Sequence, residues 1–158
     1  MNRFLHALYC DDLREEVGNK VSLIGVYGTE LLLAKLPAVV PKFAILVTAG
    51  APATNPFRQF ECRVSLDENI LVQTKQAPSD LEALTIGWDG QPEDESPSGS
   101  GRVQLLRFVF MISPFSLPNP GILRVTATTE SGVLRCPALA IREASAREVK
   151  EHKMAPLP

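Results

Sequence analysis

The clearest pattern along this chain is period-two alternation of apolar and polar residues over strand-length segments. From Phe60 to Leu66, Phe60, Cys62, Val64 and Leu66 fall on one side, with Glu61, Arg63 and Ser65 on the other. From Ile122 to Thr129, Leu123, Val125 and Ala127 alternate with Arg124, Thr126 and Thr128. Each pattern predicts a half-buried strand. Asp67-Glu68-Asn69 then leads into Ile70–Thr74, and Glu130-Ser131-Gly132 into Val133–Cys136. Both segments read as hairpins with three-residue connections.

Other stretches are apolar on both faces: Val21 to Leu33, Phe43 to Val47 and Leu105 to Ile112. Such strands are expected at the centre of a sheet or under a covering loop. Gly25 and Gly28 interrupt the first of them and predict a bend or bulge. Strands are expected near 3–11, 20–34, 42–49, 59–67, 69–76, 102–113, 121–130 and 133–142. With turn signals between them and little helix pattern, they predict an all-β, immunoglobulin-like antiparallel sandwich of about eight strands. The Pro118-Asn119-Pro120-Gly121 crossing before a late alternating strand fits that class.

Helical expectations are few. Leu13 and Val17 stand four apart in Asp11–Asn19, so one amphipathic turn is expected there, with Asp11 or Asp12 as its cap. Ser79 or Asp80 would open another. The run Gln91–Gly101, QPEDESPSGSG, offers nothing to a core and reads as a mobile acidic loop. The expected organisation is a single sandwich domain over 1–143 and a flexible or weakly helical tail over 144–158.

Composition narrows the function classes. A length of 158 residues suits one domain with a proper core. Sixteen Lys and Arg against eighteen Asp and Glu leave a net charge of −2, and no run of basic residues stands together in the sequence. Nucleic acid is therefore not an expected partner. No apolar run approaches the roughly 20 residues of a membrane-spanning helix, and the N-terminus lacks the apolar core of a secretory signal. The three cysteines, Cys10, Cys62 and Cys136, are odd in number and widely spaced. They read as free thiols in a reducing compartment, so the expected location is the cytoplasm.

Candidate chemistry is thin. Of two histidines, His152 lies in the tail, and His6 shares an alternating face with Phe4, Leu8 and Cys10. Two neutral ligands beside Asp11 and Asp12 fall short of the converging set a metal needs. Asp11, Asp12, Glu15 and Glu16 form an acidic cluster, with Arg14 and Lys20 near enough to pair. Gly18-Asn19-Lys20 has neither the glycine spacing nor the Lys-Ser/Thr ending of a phosphate loop. No catalytic residue, metal or cofactor is assigned. The polar stretch Asp11–Lys20 between two apolar strands is longer than a reversal needs, and extra loop length is where contact residues collect. Asp11, Asp12, Arg14 and Glu15, with Tyr27 as aromatic neighbour, are the candidate interaction surface.

Three pieces of the N-terminal region stand out together: Tyr9-Cys10-Asp11-Asp12-Leu13-Arg14, Gly18-Asn19-Lys20 and Ser22-Leu23-Ile24-Gly25-Val26-Tyr27-Gly28. In these the chain resembles a family of uncharacterised bacterial and bacteriophage proteins, a domain of unknown function. The likeness is closest over about the first 50 residues and looser at Pro118–Gly121. It implies a compact cytosolic β domain and brings no activity or catalytic residue with it. The expected function is a non-enzymatic protein-binding or assembly module, acting on an unknown protein partner or on itself. The alternative is a bacteriophage virion component of capsid or tail, and an enzyme ranks third. The virion alternative would move the location from cytoplasm to particle.

Overall fold

The computed structural model describes residues 2–18, 20–83 and 103–149. Twelve strands make up most of it: β1 (Phe4–Glu16), β2 (Lys20–Val26), β3 (Glu30–Leu33), β4 (Ala38–Val40), β5 (Phe43–Pro52), β6 (Phe60–Leu66), β7 (Asn69–Gln76), β8 (Val103–Ile112), β9 (Phe115–Leu117), β10 (Gly121–Thr129), β11 (Gly132–Arg135) and β12 (Leu139–Glu143). A short helix, α1 (Pro78–Ala83), follows β7, and a further helical turn spans residues 146–149. The fold is all-β and sandwich-like, as expected, although the described residues hold twelve strands rather than eight. A four-stranded sheet runs β2-β1-β5-β8, and a larger one runs β3-β12-β10-β6-β7 with β11 also on β10. β4 and β9 pair by themselves. The acidic loop expected at 91–101 and the tail beyond residue 149 lie outside the described residues.

The two alternating segments are strands whose alternate residues are buried. Phe60, Cys62 and Val64 are fully buried on β6, as are Leu123 and Ala127 on β10, with Val125 between them almost so. Their connections are tighter than expected. Leu66 pairs with Asn69 and Thr129 with Gly132, so each loop has two residues. Asp67 reaches φ +51° to make the first of these turns, a conformation short polar side chains tolerate.

The apolar runs divide. β5 is buried on both faces along most of its length and sits between β1 and β8, as expected. Val21–Leu33 is two strands, because the chain leaves the four-stranded sheet after Val26 and enters the larger one at Glu30. β2, β3 and β8 all end their sheets, against the expectation that such runs lie centrally. Their surplus apolar residues are left in part at the surface, including Val109 and Met111.

The helical turn expected between Asp11 and Asn19 is absent. β1 continues to Glu16 and pairs with β2 from Cys10↔Val26 to Glu16↔Lys20. Val17, read as the partner of Leu13 on a helix face, is 94% exposed at the tip of this hairpin. Here a backbone ladder overrides a weak spacing cue, and the expected nine-residue loop shrinks to a three-residue connection. The opening of α1 also differs. The amides of Asp80 and Leu81 donate to the Ala77 carbonyl, so Pro78 takes the first helical position.

The chain divides into two compact units, each assembled from segments distant in sequence. One comprises Met1–Ala7, Leu46–Phe110 and Arg124–Pro137, with Val47, Phe60, Cys62, Leu106 and Ala127 fully buried. Burial pushes the Cys62 thiol up to about 12. Gln104, almost wholly buried, accepts from the Phe57 amide at 2.7 Å and donates to the Leu81 carbonyl at 2.8 Å. The tightest polar assembly of this unit centres on Arg3, whose side chain is 8% exposed. Its guanidinium donates to the Pro56 carbonyl at 2.7 Å, to Asn55 Oδ1 at 3.1 Å and to Ser131 Oγ at 2.9 Å. It also pairs with Glu130 and lies over the Phe57 ring, 5.0 Å from its centroid. Glu130 Oε2 in turn accepts the amides of Arg58 and Gln59.

The second unit comprises Leu8–Ile45, Met111–Leu123 and residues from Ala138 onward. Tyr9, Phe43, Phe115, Leu117, Leu139 and Ile141 are buried in it. β12 and β3 run parallel, from Ala140↔Glu30 to Glu143↔Leu33. After β12, Ser145 and Glu148 form a capping box: Ser145 Oγ accepts the Glu148 amide, and Glu148 accepts the Ser145 amide. Glu148 and Glu30 both bind the Arg142 guanidinium.

Candidate functional site: the β1–β2 hairpin

The hairpin has a kink where Gly25 adopts φ +66°. Two constraints select glycine there. A side chain would be strained at that φ, and a Cβ would occupy the space of the Asp11 carboxyl group. Asp11 uses that space to accept a hydrogen bond from the Tyr27 hydroxyl. The Tyr27 ring then stacks on Phe43 at 5.8 Å between centroids, and Phe43 meets Phe115 at 5.0 Å. The Tyr27 amide donates to the Tyr9 carbonyl at 2.8 Å. Burial, and then the Asp11 carboxylate that would face a phenolate, push the Tyr27 hydroxyl well above its ordinary range. Tyr27 therefore stays a neutral donor to Asp11.

Asp12 is engaged separately. Lys42 pairs with Asp12 Oδ1, Arg14 Nε lies 3.8 Å from Oδ2, and the Leu13 amide donates to Oδ1 at 2.8 Å. The Lys42 ammonium, foremost, holds the Asp12 carboxyl below the usual carboxylate range. Asp12 caps no helix. Cys10 is fully buried, and burial, then Asp11 and Asp12, raise its thiol, so it has no thiolate character. His6, its supposed neighbour on one face, is exposed.

Of the five sequence candidates, the structure brings Asp11 and Tyr27 into direct contact through the space at Gly25. Asp12 and Arg14 meet loosely, and Glu15 is exposed opposite Val21. Sequence reasoning missed Lys42, which arrives from the start of β5, and Ile24 and Val26, which are 42% and 52% exposed on β2. The expectation that Val21–Leu33 lies at the centre of a sheet or under a covering loop had hidden those aliphatics. Among the described residues, no group of three or more His, Cys, Asp or Glu is placed to hold a metal ion. No helix among them is long and apolar enough to cross a membrane.

The motif Tyr9-Cys10-Asp11-Asp12 with Ile24-Gly25-Val26-Tyr27 thus has a physical basis. It encodes a kinked hairpin locked by a carboxylate under a tyrosine and seated on an aromatic cluster. Comparison with known proteins adds one finding. No curated protein and no solved structure matches the chain. A family model matches residues 5–134, which takes in the hairpin and most of both units. This chain belongs to a family of unknown function (DUF6941).

Proposed function

We propose that this chain is a non-enzymatic protein-binding or assembly module of a bacterium or its phage, and that the β1–β2 hairpin is its contact surface. One observation carries the reading: β2 ends its sheet and presents Ile24 and Val26 to solvent. An end strand has a free row of backbone donors and acceptors, which a partner strand can complete. Exposed aliphatics beside that row add apolar area to the contact, and Arg14 and Glu15 flank it on β1. The polar groups beneath are engaged with one another, Tyr27 with Asp11 and Lys42 with Asp12, which suits a rigid docking edge better than proton transfer. The free thiols of Cys10 and Cys62 support a place in the cytoplasm.

The test is capture from a host lysate on immobilised protein, read by quantitative mass spectrometry. Replacing Ile24 and Val26 together with lysine should reduce the partner at least about tenfold, because lysine on an edge opposes strand addition. Changing Arg14 and Glu15 to alanine should weaken the same partner while the melting temperature stays within about 2 °C, since exposed charges contribute little. Identical capture by the wild type and both variants would refute the hairpin as the surface.

A further inference from the structure

The face of the larger sheet turned away from the core has a charge pattern that the sequence conceals. Phe60, Cys62 and Val64 on β6 and Leu123, Val125 and Ala127 on β10 are buried, so Arg63 and Arg124 belong to the opposite face. Arg135 pairs with Thr126 across β10 and β11, and cross-strand partners share a face. Lys75 pairs with Glu61 across β6 and β7 and joins them. These residues all fall within the first unit. Lys75, Arg124 and Arg135 are exposed, and Arg63 is half-exposed. The carboxylate that stands among them, Glu61, is already held by Arg63 at 3.3 Å and by Gln73 at 2.8 Å. Arg63 Nε is buried and has no acceptor among the described residues.

We infer that this face binds an acidic polypeptide segment. The inference rests on the protein-binding reading above and names the chemistry of a partner. Two cations beside a carboxylate that is already held, and two more on the neighbouring strands of the same sheet, give this face an excess of positive charge, and arginine forks favour carboxylates bidentately. Exposed Val133 and Ile70 lie on the same sheet, beside the charges, and suit a segment that mixes acids with aliphatic residues. A nucleic acid fits less well. Glu61 interrupts the path of a continuous phosphate backbone, and none of the residues that form this charged face is an aromatic on which a base could stack.

The probe is fluorescently labelled poly-L-glutamate, titrated with the full chain and followed by anisotropy, with single-stranded and duplex DNA in parallel. Poly-L-glutamate should bind at about 50 mM salt and weaken at least about tenfold by about 300 mM, where exposed charges are screened. Arg124→Glu with Arg135→Glu should weaken it at least about tenfold without lowering the melting temperature, because both side chains are exposed. The Arg14 and Glu15 alanine pair should leave it unchanged. No binding of poly-L-glutamate, binding indifferent to the two reversals, or tighter binding of either DNA would overturn the inference. A chain that ignores poly-L-glutamate but still loses its partner on the Ile24 and Val26 changes would sink this face alone and leave the hairpin reading standing.

Discussion

Arg3→Ala should destabilise the protein by about 2–3 kcal/mol, more than an exposed ion pair contributes, because several hydrogen bonds from one charged group are lost at once. For a chain of this length that lowers the melting temperature by roughly 4–12 °C. The size follows from what the guanidinium satisfies: the carbonyls of Asn55 and Pro56, the Ser131 hydroxyl, one oxygen of Glu130 and the face of Phe57. Water cannot readily replace it, because the side chain is almost buried. Thermal unfolding followed by circular dichroism measures the loss. A drop under about 1 kcal/mol would mean that the knot contributes no more than a surface pair.

The same knot has a pH signature. Burial by itself would raise the Glu130 carboxyl, but its own amide, Arg3, and the amides of Gln59 and Arg58 outweigh burial and hold it below its ordinary 4.5. A carboxyl whose folded value is depressed binds fewer protons folded than unfolded. Its stabilisation is therefore complete above the unfolded value and is lost as pH falls through the folded one. Denaturant titrations between about pH 6 and about pH 3 should show stability falling with acid. The fall should be shallower in Arg3→Ala, where the depression is partly relieved. Parallel profiles for the two proteins would remove Arg3 from the account.

Gly25→Ala should cost about 3 kcal/mol in all. Placing a side chain at a left-handed φ costs about 1–2 kcal/mol, and the new methyl displaces the Asp11 carboxyl from the Tyr27 hydroxyl, adding about 1–2 kcal/mol. The two parts separate in a double-mutant cycle. Asp11→Ala removes the group that the methyl strikes, so in that background Gly25→Ala should cost only its backbone share, a coupling of about 1–2 kcal/mol. Simple additivity of the two substitutions would show that the carboxylate and the kink are independent. A stable, folded Gly25→Ala chain with altered partner binding would instead make the kink a recognition device.

What could be read beforehand depended on whether a strand has one dry face. β6 and β10 were legible residue by residue, because alternating burial writes the period of the pleat into the sequence. β1 beyond Cys10 was not. Asp11–Glu16 lies where its strand runs past the core, polar residues occupy both faces, and backbone pairing with β2 holds it extended. Val21–Leu33 failed for the opposite reason. A run apolar on both faces has no period of two, and its glycines predicted a bend or bulge rather than Tyr27-Gly28-Thr29 as the place where the chain changes sheets. The candidate site was legible as a set of residues through the Tyr9–Arg14 and Ser22–Gly28 motifs. Its geometry was not, because the reason for Gly25 is a carboxylate fourteen positions earlier.

The sequence by itself determined the class of the fold, since strand-length apolar segments punctuated by turns can bury their faces only by stacking sheets. It also determined the two alternating strands and the absence of a local basic run. Tertiary structure decided which strands end the sheets, and so which aliphatics meet water. It decided that Arg3 would be buried against partners more than fifty and more than a hundred residues away. It also gathered Arg63, Lys75, Arg124 and Arg135 onto one face. These outcomes share a physical cause. Burial of one face is a local property repeated every second residue, whereas the pairing of distant strands depends on the whole chain at once and leaves no mark at any single position.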